Sequence, residues 1–192
     1  MTDFYIREAR PGDVQTILDL ILELAIYEKA PEQVKATPEI VSLIDLQPQQ
    51  TAFPQFGSVL QLLQNLFKSP SAYALLAFSA SDEPIGFALY FFNFSTWTGR
   101  PGIYLEDIYV KEAFRKLGIG KALFGQLGKI AQEKECPRVD WSVLKWNQPS
   151  IDFYEKALDA TRMEEWLGMR LEGDRIRNLD KFLIPNVAPN SV

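Results

Sequence analysis

The apolar positions of the chain change period several times, and each change marks an element. Phe4 to Glu8 alternates as a short strand, after which Pro11-Gly12-Asp13 breaks the chain and caps a helix. Val14, Ile17, Leu18, Ile21, Leu22 and Ala25 share one face of that helix, which is expected to run to about Glu28. The pattern is weakest between Ala30 and Ser71. A short helix near Pro38 to Ile44, a Gln- and Pro-rich loop, and a second helix from Ser58 to Phe67 are expected there. Ala72 to Phe78 and Ile85 to Phe94 read as strands joined by a hairpin turn over Ser79 to Pro84, and Gly102 to Val110 as a further strand. Ile119, Leu123, Leu127 and Ile130 form one stripe of a helix from Ile119 to Lys134. Val139 to Leu144 is a predicted strand. Pro149 to Leu158 is a predicted helix, with Pro149 at an N-terminal position that needs no amide hydrogen. Met169 to Glu172 and Ile176 to Leu183 read as closing strands around Gly173-Asp174, and Pro185 to Val192 as a polar tail. The order β-α-(α)-β-β-β-α-β-α-β-β predicts a mixed α/β architecture, with one domain over residues 1–184 and a flexible tail over 185–192.

Composition narrows the chemistry. A chain of 192 residues, 47% hydrophobic and 23% charged, can bury one good core. Its net charge of −5 argues against nucleic acid as the main partner and suits a cationic substrate, although mild acidity also serves solubility. The chain has no histidine, which removes histidine general bases, Ser-His-Asp triads and His-based metal sites. Cys136 is the only cysteine, so no intrachain disulfide forms and no metal is expected. Acid–base work must come from Asp, Glu, Tyr, Lys or water. The run Ile85 to Phe92 is too short to span a bilayer, and Met1-Thr2-Asp3-Phe4 has neither a basic nor an apolar leader region, so a cytoplasmic location without a membrane partner is expected.

The most informative stretch is Arg115-Lys116-Leu117-Gly118-Ile119-Gly120, a basic glycine-paired turn between a predicted strand and a predicted helix. Glycines admit close backbone approach, and the free N–H groups of a first helical turn favour an anion such as a pyrophosphate. A magnesium-nucleotide loop is disfavoured, because Gly120-Lys121-Ala122 has the wrong glycine spacing and lacks the following Ser or Thr. A dinucleotide fingerprint fits Gly118 and Gly120 but has Leu123 at its third position, although Asp140 lies twenty residues beyond Gly120. The pattern [RQ]-x-x-G-x-[GA] fits throughout.

That pattern resembles the acetyl-CoA pyrophosphate loop of the GNAT superfamily of N-acetyltransferases. Tyr104-Leu105-Glu106-Asp107-Ile108-Tyr109-Val110, Trp146-Asn147-Gln148-Pro149-Ser150-Ile151-Asp152-Phe153-Tyr154 and Ala25-Ile26-Tyr27-Glu28 resemble the diamine acetyltransferases, both the spermidine/spermine and the thialysine-acetylating kinds. The resemblance covers Phe4 to about Leu171 and is weak between Ala30 and Ser71. It implies a single-domain GNAT fold: a mixed, mostly antiparallel sheet with a splayed central strand pair flanked by helices. It further implies acetyl-CoA as co-substrate, a small amine as acceptor and a homodimer.

An alkylamine titrates near 10, so acetyl transfer to it needs a group to take its proton, and a carboxylate both attracts the ammonium and accepts that proton. Regular strand alternation points Glu106 and Asp107 to opposite faces, and two charges inside an apolar strand need a role or a partner. The resemblance makes Glu106 the water-mediated base or amine-binding carboxylate, with Asp107 beside it. It makes Tyr154 the acid that protonates the leaving thiolate. It assigns cofactor contacts to Asn147 and Ser150, and to the backbone of Ile108, Tyr109 and Val110. Arg115, Lys116, Leu117, Gly118, Ile119, Gly120 and Lys121 would hold the pyrophosphate. Tyr27, Glu28, Glu106 and Asp107 would meet the amine, with Glu164 or Glu165 as a further acidic contact. The family usually has glycine after the Tyr154 helix, where this chain reads Ala157-Leu158-Asp159-Ala160. The alternatives are a non-catalytic acyl-CoA sensor of the same fold and a dinucleotide oxidoreductase.

Overall fold

The computed structural model describes residues 4–30 and 59–183. The expected helix near Pro38 to Ile44, the Gln/Pro-rich loop and the 185–192 tail lie outside the described residues.

Strand β1 (Phe4–Glu8) leads through a short 3-10 turn (Pro11–Asp13) into helix α1 (Val14–Tyr27). Asp13 organises this entry. Its carboxylate accepts the Arg10 amide at 2.7 Å and both terminal nitrogens of Arg7 at 2.7 and 2.9 Å. Helix α2 (Val59–Leu63) continues as a π-helical turn over Gln64–Lys68. Strands β2 (Tyr73–Ser79), β3 (Pro84–Ser95) and β4 (Arg100–Val110) follow, and then helix α3 (Ile119–Glu133). The short strand β5 (Val139–Trp141) and helix α4 (Gln148–Leu158) complete the crossover.

The strands form one sheet in the order β1-β2-β3-β4-β5. The first three pairings are antiparallel and β4 with β5 is parallel. Helices cover both faces, which is why β2 and β3 are buried almost continuously rather than in alternation. Ile17, Leu20 and Leu24 of α1 pack with Leu76, Phe78, Phe87 and Leu89 on one face. Ile119, Leu123 and Leu127 of α3 pack with Leu75, Ile85, Ile103 and Leu105 on the other.

Three sequence expectations are corrected. The strand expected over Val139 to Leu144 ends at Trp141, because β5 pairs with β4 only through Ile103, Tyr104 and Leu105. The expected closing strands at Met169 to Glu172 and Ile176 to Leu183 do not form. The first is irregular, and the second is helical as α5 (Asp174–Arg177) and a 3-10 turn (Asn178–Phe182). Ile176, Leu179 and Leu183 have helical rather than strand spacing, and Asp174 and Arg177 pair one turn apart. The missing glycine after α4 is replaced by Asp159 itself, which takes the left-handed conformation (φ 56°, ψ 38°) and lets the Ala160 amide reach the Tyr154 carbonyl at 3.0 Å.

Candidate active site

The site follows from a one-residue slip in β4. Leu89 of β3 pairs with Asp107 while Tyr90 pairs with Leu105, so Glu106 is the extra residue of a β-bulge. The slip reverses the side on which backbone groups point. Before it, the Ile103 amide donates toward β5, to the Arg138 carbonyl at 3.1 Å. After it, the Lys111 amide donates toward β3, to the Ile85 carbonyl at 3.0 Å. Residues 103 and 111 would face the same side in a regular strand. By alternation from Lys111, the amides of Val110 and Ile108 face the β5 side, where β5 no longer runs alongside. The sheet thus splays between β4 and β5.

The splay opens a cavity of about 520 Å³. Its walls are the second half of β4, the end of α1, the turn from Phe114 to Lys121, the segment after β5 and the first two turns of α4. Of the site residues expected from sequence, Tyr27, Glu28, Glu106, Asp107, Ile108, Tyr109, Val110, Arg115, Lys116, Gly118, Ile119, Gly120, Lys121, Asn147, Ser150 and Tyr154 all line it. Leu117 does not, and its side chain points outward at 40% exposure. Glu164 and Glu165 lie elsewhere, in a shallow depression with Arg162 and Trp166. Glu106 and Asp107, expected on opposite faces, both reach the cavity because the bulge interrupts the alternation between them.

The cavity lining carries charges of both signs. Glu28 and Glu106 lie close enough to Asp107 to act on its carboxyl, and no ion pair joins any of the three to a basic side chain among the described residues. Glu106 is exposed and Asp107 is half-buried. Burial, reinforced by the charges of Glu106 and Glu28, pushes the Asp107 carboxyl up to about 6. Burial also raises Glu28 above the usual carboxylate range. Arg115, Lys116 and Lys121 also line the cavity, around a turn in which Lys116 (φ 66°) and Gly118 (φ 89°) are left-handed. No side chain caps the N-terminus of α3 at Gly118, so its first amides are available to an anion. These features fit a pyrophosphate. Arg115 is not an ordinary surface charge. Its Nε donates to the Val110 carbonyl at 3.0 Å and its guanidinium lies 4.5 Å from the Tyr27 ring centroid.

Helix α4 contributes a stripe. Asn147, Ser150 and Tyr154 are three and then four residues apart, so they share one face. The Asn147 side-chain oxygen Oδ1 accepts the Ser150 amide at 3.4 Å as the helix cap, and the Tyr27 hydroxyl donates to the same oxygen at 3.0 Å. Tyr154 packs edge-on against Trp141 and Phe124, with centroids 5.1 and 5.9 Å away. Burial, with Glu28 and Tyr27 nearby, pushes its phenol up to about 12. The hydroxyl therefore stays protonated across the physiological range. Sequence reasoning missed Trp141 and Phe153, because core-like aromatics carry no signal that they line a site; Ser142 to Leu144 were concealed by the overlong strand expected there. Cys136 lies outside the cavity, packed against the α3-side core.

Residues 40–159 match the model of the acetyltransferase (GNAT) family. Thialysine N-epsilon-acetyltransferase of Sus scrofa is 37% identical over 188 residues, covering 93% of this chain and 98% of that protein. L-ornithine N5-acetyltransferase of Arabidopsis thaliana is 30% identical over 203 residues, covering 93% and 89%. Among solved structures, an integron cassette protein from the mobile metagenome of V. cholerae has a TM-score of 0.70 at 23% identity, covering 94% of this chain and 99% of that one, which shows a shared fold.

Proposed function

Because the chain belongs to the acetyltransferase (GNAT) family and is an acetyl-CoA-dependent N-acetyltransferase, we propose that its acceptor is the primary amine of a small cationic molecule, either a thialysine- or ornithine-like amino acid or a diamine or polyamine. One observation carries this reading: a single cavity is lined both by a group of carboxylates and by a basic glycine turn with uncapped helix amides, as an amine and a nucleotide pyrophosphate require. Lys116, Lys121 and the first amides of α3 would hold the pyrophosphate, and the β5-side amides of Ile108 and Val110 would hold the pantetheine arm and polarise the acetyl carbonyl.

The reaction is direct attack. The ammonium first gives one proton to the Glu106–Asp107 pair; the free amine nitrogen then bonds to the thioester carbon, the C–S bond breaks, and the nitrogen's second proton leaves to solvent. Glu106, the bulged and exposed residue, is placed to steer the ammonium, and Asp107 is the partner whose raised proton affinity suits a base near neutral pH. Tyr154 supplies a hydrogen bond and then a proton to the departing thiolate, and regains a proton from solvent. A phenol near 12 holds its proton more tightly than a thiol near 8.5, so the hydrogen bond comes first.

Acetyl-CoA consumption measured with thialysine, ornithine, lysine, putrescine, spermidine, spermine and a peptide tests the assignment. Turnover with one of the small amines and none with the peptide is expected. Saturable acetyl-CoA binding with no turnover on any amine would instead make the chain an acyl-CoA sensor. The same assay on Cys136→Ala should show full activity, since direct attack forms no acetyl-cysteine.

A homodimer in the cytoplasm completes the proposal. Met163, Trp166, Leu167, Met169, Phe182 and Leu183 are 65–91% exposed along one C-terminal segment, apolar surface that a second copy would cover. Sedimentation equilibrium checks the association, with a species of twice 21.9 kDa expected.

A further inference from the structure

We propose that Tyr27 is a positioning residue that ties the pyrophosphate turn to the helix carrying Tyr154, acting through Arg115 on one side and Asn147 on the other. The inference rests on the acetyltransferase reading of the site.

Tyr27 ends α1, and its two ends are both engaged. Its ring lies under the Arg115 guanidinium at 4.5 Å, and Arg115 opens the turn whose left-handed Lys116 and Gly118 shape the anion cradle. The same guanidinium is fixed from the other direction by the Val110 carbonyl at 3.0 Å. The Tyr27 hydroxyl donates to Asn147 Oδ1 at 3.0 Å, and Asn147 is 5% exposed. That oxygen caps α4 through the Ser150 amide, and Tyr154 lies two turns along the same face.

One side chain thus links the turn after β4 to the start of α4, beyond the last residues paired between β4 and β5. Its face and its hydroxyl do separable things. The face fixes Arg115 and with it the turn that meets the phosphates. The hydroxyl fixes the cap of α4 and with it the direction of Tyr154. A residue that only met the amine would show neither dependence.

Two variants separate the halves. Tyr27→Phe keeps the ring and removes the hydroxyl. CoA affinity, measured by calorimetry, should stay within about twofold, while kcat on the best amine falls about fivefold. Tyr27→Leu removes the platform as well, and the CoA Kd should rise about tenfold beyond that. The amine KM should change less than about twofold in both. Arg115→Gln reaches the same contact from its other partner and should weaken CoA to a similar degree, and adding Tyr27→Leu to it should weaken CoA little further. Amine KM rising about tenfold with kcat and CoA Kd unchanged would overturn the proposal and make Tyr27 an amine contact. Unchanged CoA affinity in both Tyr27→Leu and Arg115→Gln would overturn it as well. The parent protein is titrated in parallel, and its failure to bind CoA would count against the acetyltransferase reading itself.

Discussion

The two halves of β4 are built from one strand and do opposite things. From Arg100 to Leu105 the strand is paired with β3, and from Ile103 to Leu105 with β5 as well. Ile103 and Leu105 there are at most 2% exposed and belong to the α3-side core. From Asp107 to Val110 it is paired with β3 alone, Glu106 is paired with neither neighbour, and each of these residues lines the cavity. One bulged residue separates the halves. Full pairing spends every backbone group on stability, and loss of one neighbour frees amides and carboxylates for a ligand.

That contrast predicts which substitutions damage which property. The largest effect is expected at Tyr154, which faces the half that has lost β5. Tyr154→Phe should lower kcat by roughly 10²–10⁴-fold while acetyl-CoA binding changes only a few-fold, as steady-state kinetics and calorimetry together would show. An unchanged kcat would remove Tyr154 as the acid. In the paired half the damage should be structural. Ile103→Ala should cost about 2–5 kcal/mol in denaturant unfolding, with kcat per folded molecule nearly intact.

Asp107→Asn should separate the two properties within one residue. The native carboxyl holds its proton up to about pH 6, against a reference value of 3.8 in the unfolded chain. Below the lower value both states are protonated and the carboxyl has no electrostatic cost. As pH rises, the unfolded state loses its proton first, so the cost grows and is complete above the folded value. The variant should therefore be more stable at pH 7 by on the order of 2 kcal/mol, with the gain shrinking as pH falls below 6 and vanishing by about pH 3. The same change should abolish the rise of kcat/KM through about pH 6 that the parent is expected to show. Greater stability with lower activity is the signature sought, and thermal melts across pH alongside rate profiles would reveal it. The smallest effect is expected at Asp159, whose left-handed backbone suits glycine. Asp159→Gly should raise stability by at most about 1 kcal/mol and leave kcat unchanged.

Much of this was legible in the sequence because residues with distinctive chemistry recur at fixed spacing. The turn from Arg115 to Gly120, the Glu106-Asp107 pair and the Asn147–Tyr154 stripe converge on one cavity. What escaped was set by tertiary context. The bulge at Glu106 leaves no mark in an apolar strand, so regular alternation misplaced one carboxylate. Strand β5 stops at Trp141 although Val143 and Leu144 are apolar, because β4 diverges from it there. The C-terminal segment misled through its apolar residues, whose spacing served a helix. The Arg115 guanidinium, expected toward phosphate, is turned onto Tyr27 by a contact between residues 88 positions apart.

The central claim is that the half of β4 that has lost β5, and the turn after it, hold acetyl-CoA. Residue-resolved amide hydrogen exchange with and without acetyl-CoA tests it most directly. Exchange should slow at Ile108, Val110 and the amides from Lys116 to Lys121, while Ile103 and Leu105, already paired, stay unchanged. Saturable binding of acetyl-CoA with no added protection at Ile108, Val110 and the turn would contradict the account.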